Sequence, residues 1–170
     1  MYKSFLKWWL VFSLSVIGTI FAYYSGVLKE IWVKDTSYLS YTTIGLYYIT
    51  SLICGSQLYA LCKFTGHGGY SEIEEFEAEE EVGWFVSELC LNLGMLGTII
   101  GFCMMLAGFD SLDISKQQTI QGLLSELGKS MATALYTTLV GLVCGQLLKM
   151  QYFIFSLELT KKSSYFEKEE

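Results

Sequence analysis

Neither proline nor arginine occurs in these 170 residues, and histidine occurs once. Without proline, no helix of this chain is kinked by a missing backbone donor. All eleven basic side chains are lysine and the net charge is −6, so no basic face exists to neutralise phosphates and nucleic acid is excluded as a partner. Charge of either sign is scarce too: 16% of residues carry it, against about 25% in a typical soluble domain. The five cysteines, Cys54, Cys62, Cys90, Cys103 and Cys144, form no CxxC pair and stand in or beside apolar runs. Metal-ligand spacing is therefore absent, and they read as small hydrophobes packed between helices. No cofactor motif and no pairing of nucleophile with base stands out, so an enzyme is not expected.

What is present is apolar and unevenly distributed. Hydrophobic residues make up 52% of the chain, and the charges gather into short clusters between long uncharged runs. A bilayer core needs roughly 20 apolar residues in a helix. Four runs meet that length: Trp8–Leu28, Tyr41–Cys62 within the uncharged stretch 36–62, Leu89–Phe109, and Ser130–Leu148. The first is too long for a signal-peptide core and lacks an A-x-A site, so it reads as a retained span. The short connection from Lys29 to Asp35 makes the first two spans a helical hairpin. Trp8, Trp9, Tyr23, Tyr24, Trp32 and Trp84 cluster at span ends, where aromatic rings anchor at the membrane interface.

Two polar segments interrupt the pattern. Gly66-His67-Gly68-Gly69 and then Glu72, Glu74, Glu75, Glu77, Glu79, Glu80 and Glu81 separate the second and third spans. That run reads as a solvated acidic loop, with His67 a plain loop residue. Between the third and fourth spans, Ile114, Ile120, Leu123, Leu124 and Leu127 recur at near-helical spacing, an amphipathic lead-in to the last helix. After Lys149 the apolar character resumes through Met150 to Leu157, so the last helix is expected to project beyond the bilayer into the cytoplasm. With both termini inside, seven lysines lie inside and four outside, which favours cytoplasmic termini.

The last two spans carry the informative faces. Gly94, Gly97, Thr98 and Gly101 recur at three- and four-residue steps. Ala134, Thr138, Gly141 and Gly145 do the same, with Thr137 alongside. Small residues at that spacing let membrane helices approach closely. Threonines within them either bond back to their own helix carbonyls or offer hydroxyls to something in the membrane. No Asp, Glu, Lys or His stands near the centre of any span, although a carrier of ions needs a charged group at depth. If ions move here, another polypeptide supplies the acid.

Leu93–Gly101 (LGMLGTIIG), followed after a polar linker by Ala134–Val143 (ALYTTLVGLV), resembles the MotA/TolQ/ExbB proton-channel family. There the usual pattern is LGLLGTV-x-G in one span and AL-x-x-T-x-x-GL in the next; the resemblance covers about Trp84–Phe155. It implies a ring, a homopentamer, enclosing two single-span partner helices like those of MotB, TolR or ExbD, which carry the essential Asp. It further implies that Thr98 and Thr138, with Thr137 adding a further hydroxyl, line the ion path. Gly94, Gly97, Gly101, Ala134, Gly141 and Gly145 would then form the packing and pore face. The chain departs from the pattern at Leu91 and Leu147, where many members have Pro, and at Thr133, where ExbB-like and TolQ-like members have Glu. Four spans resemble the MotA layout, but the segment between spans two and three is far shorter than the MotA rotor-engaging domain.

The expected organisation is an all-α membrane protein in four parts: a two-span hairpin (1–65), an acidic cytoplasmic loop (66–83), a pore-forming helix pair (84–160) and a charged tail (161–170). The expected function is that of a pore-forming subunit of an H⁺- or Na⁺-driven motor or energy-transducing complex in a bacterial inner membrane. A non-conducting four-helix scaffold, whose small-residue stripes serve packing only, is the alternative.

Overall fold

The computed structural model describes residues 3–34, 38–63, 70–109 and 117–166, which form five helices: α1 (Lys3–Tyr24), α2 (Val27–Lys34), α3 (Leu39–Lys63), α4 (Tyr70–Phe109) and α5 (Gln117–Phe166). No strand occurs among the described residues. Four segments are long and apolar enough to cross a membrane: Ser4–Tyr24, Leu39–Lys63, Glu75–Ala107 and Leu127–Ser164. Each contains or largely overlaps one of the four uncharged runs.

Two boundaries differ from the sequence expectation. The first helix stops at Tyr24 rather than running to Leu28, because Gly26 adopts a φ of 81°. That left-handed conformation ends helices and is open to glycine at little cost. The amide N–H groups of Ser25 and Gly26 still donate back to Phe21 O (2.9 Å) and Tyr23 O (3.3 Å), and the chain then restarts as α2. The supposed short connection is thus mostly a helix, which buries Ile31; Asp35 lies outside the described residues.

The larger correction concerns the acidic segment. Over residues 70–83 it is not a loop but the first turns of α4, continuous with the third span. The helix continues because its inward face finds a partner. The rings of Phe76 and Phe155 meet edge to face with centroids 6.4 Å apart, and Tyr152 lies over Gly83, where a Cβ would come within 1.9 Å of the ring. Glu75, Glu77 and Glu81 point to the exposed side, and Glu80 accepts a 3.1 Å hydrogen bond from the Trp84 indole N–H one turn on. The glycine-rich turn with His67 lies outside the described residues. In the other linker, residues 117–129 are helical, as the amphipathic spacing suggested, while 110–116 lie outside the described residues. The charged tail is likewise helical to Phe166, and 167–170 lie outside the described residues.

At 1.5 Å per residue, the 40 residues of α4 extend about 60 Å and the 50 of α5 about 75 Å. Both exceed the roughly 30 Å hydrocarbon core. Phe76 and Phe155 pair near one end of this helix pair, so α4 and α5 stay packed together there.

Successive long helices run antiparallel. Gly55 of α3 lies against the Trp8 ring of α1, and Ser4 at the start of α1 donates a 2.6 Å hydrogen bond to Glu158 near the end of α5. Thr19 of α1 and Tyr48 of α3 share a hydrogen bond of 2.6 Å. The N-terminal hairpin is fastened to α5 by polar groups inside the bundle. Ser51 donates to Gln151 Oε1 at 2.7 Å, and Gln151 Nε2 donates to the Tyr47 hydroxyl at 3.3 Å, with Ser51 and Gln151 completely buried. Farther along, the Lys162 ammonium donates to the Leu61 carbonyl at the end of α3. Around these contacts Cys54, Leu58, Leu61, Cys144, Leu148 and Phe155 form the apolar core.

Replacing Gln151 with Leu is expected to remove the donor to Tyr47 and strand the Ser51 hydroxyl. Side-chain hydrogen bonds between membrane helices contribute about 0.6–2 kcal/mol. The variant should therefore unfold at a lower temperature in detergent, whereas Leu at the exposed Gln146 should not. Equal melting of both variants and the wild-type chain would count against the fastening role.

Candidate functional site at the α4–α5 seam

The α4–α5 contact is the most extensive between any two helices. On α4 its buried positions are Gly83, Ser87, Cys90, Gly94, Gly97 and Gly101, alternating steps of four and three. A strict seven-residue repeat of this kind holds two helices together along one continuous seam. Every member is small, so the backbones close to contact distance. A Cβ on Gly141 would lie 2.7 Å from Gly94 Cα and 2.8 Å from the Cys90 carbonyl oxygen. A Cβ on Gly101 would lie 2.6 Å from Ala134 Cβ, and one on Gly145 would meet the Leu91 side chain at 2.8 Å and Ser87 O at 3.0 Å. The glycine and alanine positions read from the sequence therefore all face this seam. Gly83, Ser87 and Cys90 extend it toward the acidic end of α4, and their continuation of the four–three rhythm was the signal available for them.

The three threonines divide. Thr137 is 1% exposed and fills the notch left by Gly97, whose added Cβ would lie 2.2 Å from the Thr137 hydroxyl oxygen. That hydroxyl donates to Thr133 O (3.0 Å) and Ala134 O (3.1 Å) of its own helix. Thr137 is a packing residue of the seam in this chain, apart from the other two. Thr98 and Thr138 are half-buried and stand at the rim. The Thr138 hydroxyl reaches Ala134 O at 2.9 Å and, across the seam, Gly94 O at 3.3 Å. Gly94 lies one turn from Thr98 on the same face of α4, so both hydroxyls occupy the same edge of the helix pair. Thr98 donates to Met95 O at 2.5 Å.

The two edges of the seam are unlike. The N-terminal hairpin packs along one through Tyr47, Ser51 and Leu58. The edge with the threonines carries Met95, Phe102, Leu135 and Leu142, all more than half exposed. Charge returns to this edge at Glu88 and Lys149, whose carboxylate and ammonium stand 3.8 Å apart. Glu88 directly precedes the third uncharged run and Lys149 directly follows the fourth; their pairing across the helices is not visible in the sequence. From that pair Thr98 and Thr138 lie about 15 Å farther along their helices, close to half of a roughly 30 Å core. Among the described residues no group of His, Cys, Asp and Glu could hold a metal ion.

This geometry is a tight small-residue helix pair with two hydroxyls at mid-depth on its open edge. An ion crossing a bilayer needs oxygen partners at such a depth, and among the described residues the carboxylates lie away from it. A substitution at the centre of the seam tests its tightness. Gly141→Ala is expected to destabilise the chain by about 1–3 kcal/mol, because the neighbouring atoms are backbone and cannot turn aside. Ala at Gly45, where nothing lies within 4 Å, should leave the melting temperature unchanged or slightly raised. A Gly141→Ala protein as stable as wild type would show that the helices are not held at contact distance.

The sequence model of the MotA/TolQ/ExbB proton channel family matches residues 68–168, which takes in all of α4 and α5. No curated protein and no solved structure matches the chain. With more than half of its length matched, and with the matched part coinciding with the seam and its two rim threonines, the chain belongs to the MotA/TolQ/ExbB proton channel family.

Proposed function

We propose that this chain is the ring-forming subunit of an ion-driven motor or energy-transducing complex in a bacterial inner membrane. In this reading about five copies surround a pair of single-span partner helices of the MotB, TolR or ExbD kind. The open edge of each α4–α5 pair faces the partner, and the partner's Asp supplies the charge that these spans lack. Thr98 and Thr138 hydrogen-bond water or that carboxylate as an H⁺ or Na⁺ ion passes. The N-terminal hairpin, fastened to the opposite edge, supports the ring from outside. Both termini and the long ends of α4 and α5 face the cytoplasm, following the lysine distribution. The observation that carries the reading is the shared position of the two rim hydroxyls, half-buried and at mid-depth, within the segment that defines the family.

The chemistry asked of the threonines is modest. Each hydroxyl has one proton, committed in the isolated chain to a carbonyl of its own helix, and two lone pairs left to accept from a water or a protonated acid. Rotation about one side-chain bond redirects the proton outward. A threonine can therefore serve as a way-station without titrating. Movement of the ring against its partner would follow from neutralising and recharging the partner carboxylate, which changes what that carboxylate bonds.

The test uses Thr98→Val, Thr138→Val and the double variant, which keep the side-chain shape and remove the hydroxyl. With the partner co-expressed, each single variant is expected to reduce ion flux into vesicles at least several-fold. The double variant should abolish it, and complexes of normal size should still assemble. Wild-type flux in all three would exclude the ion-path role and favour a scaffold in which the rim threonines only bond back to their own helices.

A further inference from the structure

Away from the rim threonines, a groove of about 410 Å³ runs between α3 and α4 and reaches Tyr152 of α5. Glu75 and Glu79, one turn apart on α4, line it, and neither has a cationic partner among the described residues. Two more oxygens in the lining lack partners. Gln57 Oε1 is buried without a donor, and the Tyr152 hydroxyl makes no hydrogen bond among the described residues although that side chain is only 1% exposed. Buried polar groups are normally satisfied, and leaving one unpaired is costly. The rest of the lining is largely apolar. A group that brings one positive charge and several N–H donors on a slender apolar stem meets all of these demands, and a lysine side chain has that form.

We propose that this groove seats Lys7 of a neighbouring copy of the chain, a contact that rests on the ring reading given above. Depth selects this lysine. Copies related by an axis along the membrane normal keep each residue at its own level, so only side chains at equal depth can meet. The Trp8 ring lies on Gly55, and the rings of Phe5 and Tyr59 stand 5.9 Å apart, which puts Lys7 level with Gln57. Lys7 is exposed and has no carboxylate partner among the described residues. Other lysines of this half are engaged or distant: Lys149 pairs with Glu88, Lys162 donates to the Leu61 carbonyl, and Lys161 lies about 14 Å beyond Tyr152 along α5. Position around the chain agrees with depth. Lys7 shares a face of α1 with Leu14 and Gly18, seven and eleven residues on. Those two residues lie beside Leu139 and Val143 of α5, so Lys7 stands on the α1–α5 flank while the groove opens on the α3–α4 flank. One flank of a copy therefore offers the cation and the other receives it. Unlike surfaces meeting in this way form a heterologous contact, the kind that closes into a ring.

Cross-linking and charge exchange test the contact. Lys7→Cys and Glu79→Cys are combined in a chain freed of its other thiols, co-expressed with the partner and oxidised in the membrane. The double variant is expected to give a ladder of linked chains on a gel without reductant, and each single variant to stay unlinked. In the otherwise native chain, Lys7→Glu and Glu79→Lys should each lower the yield of full-size complex at least several-fold, and the two together should restore most of it. Glu79→Lys adds positive charge on the same side of the membrane, so a fall in both single variants is not an effect of topology. A full-size complex without the 7–79 link, linked pairs from a single variant, or a charge exchange that restores nothing would overturn the docking of Lys7 and leave the ring standing. Wild-type chains that run as monomers would overturn the ring and this contact together. Should the thiol-free chain not assemble, the charge exchange carries the test.

Discussion

Two helix backbones in contact at Gly94 and Gly141 set the geometry from which the rest of this molecule follows. Lipid offers helices no hydrophobic reason to associate, so dispersion between closely approaching backbones has to serve instead. Glycines at those positions make the approach possible, and Thr137 lying in the notch of Gly97 fixes the register between the helices. Once that register is set, Thr138 must lie over Gly94, because the two residues follow one another by about 100° around the helix. The location of the rim hydroxyls is thus a consequence of the packing rather than a separate feature.

The N-terminal hairpin makes the helix pair asymmetric. Gln151 completes its hydrogen bonds with Ser51 and Tyr47, and Ser4 and Lys162 hold the other ends of α1 and α3. A buried amide in a membrane bundle is costly when unpaired, which orients α3 against one edge of α5. The other edge keeps Met95, Phe102, Leu135 and Leu142 exposed, an apolar surface suited to another helix or to lipid. With Glu88 and Lys149 at its end, this edge has polar groups at the interface, hydroxyls at mid-depth and no charge between them.

Much of this arrangement could be read in the residues alone. The uncharged runs located all four spans, because a bilayer penalises charge more strongly than any propensity can mask. The stripes containing Gly94, Gly97, Gly101, Ala134, Gly141 and Gly145 were legible because helical spacing alone puts them on one face. Three features were not. The helicity of the acidic run depends on Phe76 and Gly83 meeting Phe155 and Tyr152, residues far away along the chain. The separation of Thr137 from Thr138 depends on which of two adjacent directions faces α4, and neighbouring threonines look alike in a sequence. The role of Gln151 depends on its register against Ser51 and Tyr47, which local sequence does not encode.

The account turns on whether the open edge meets water in the assembled complex. Cysteine substituted at Thr98 and at Thr138, in a chain freed of its other thiols, measures this directly, because a thiol reacts as its thiolate and thiolates form where water reaches. Modification of both positions by a small water-soluble thiol reagent, with protection at a Thr137→Cys position inside the seam, is the predicted result. Inert thiols at both rim positions in an intact, partner-bound complex would contradict it.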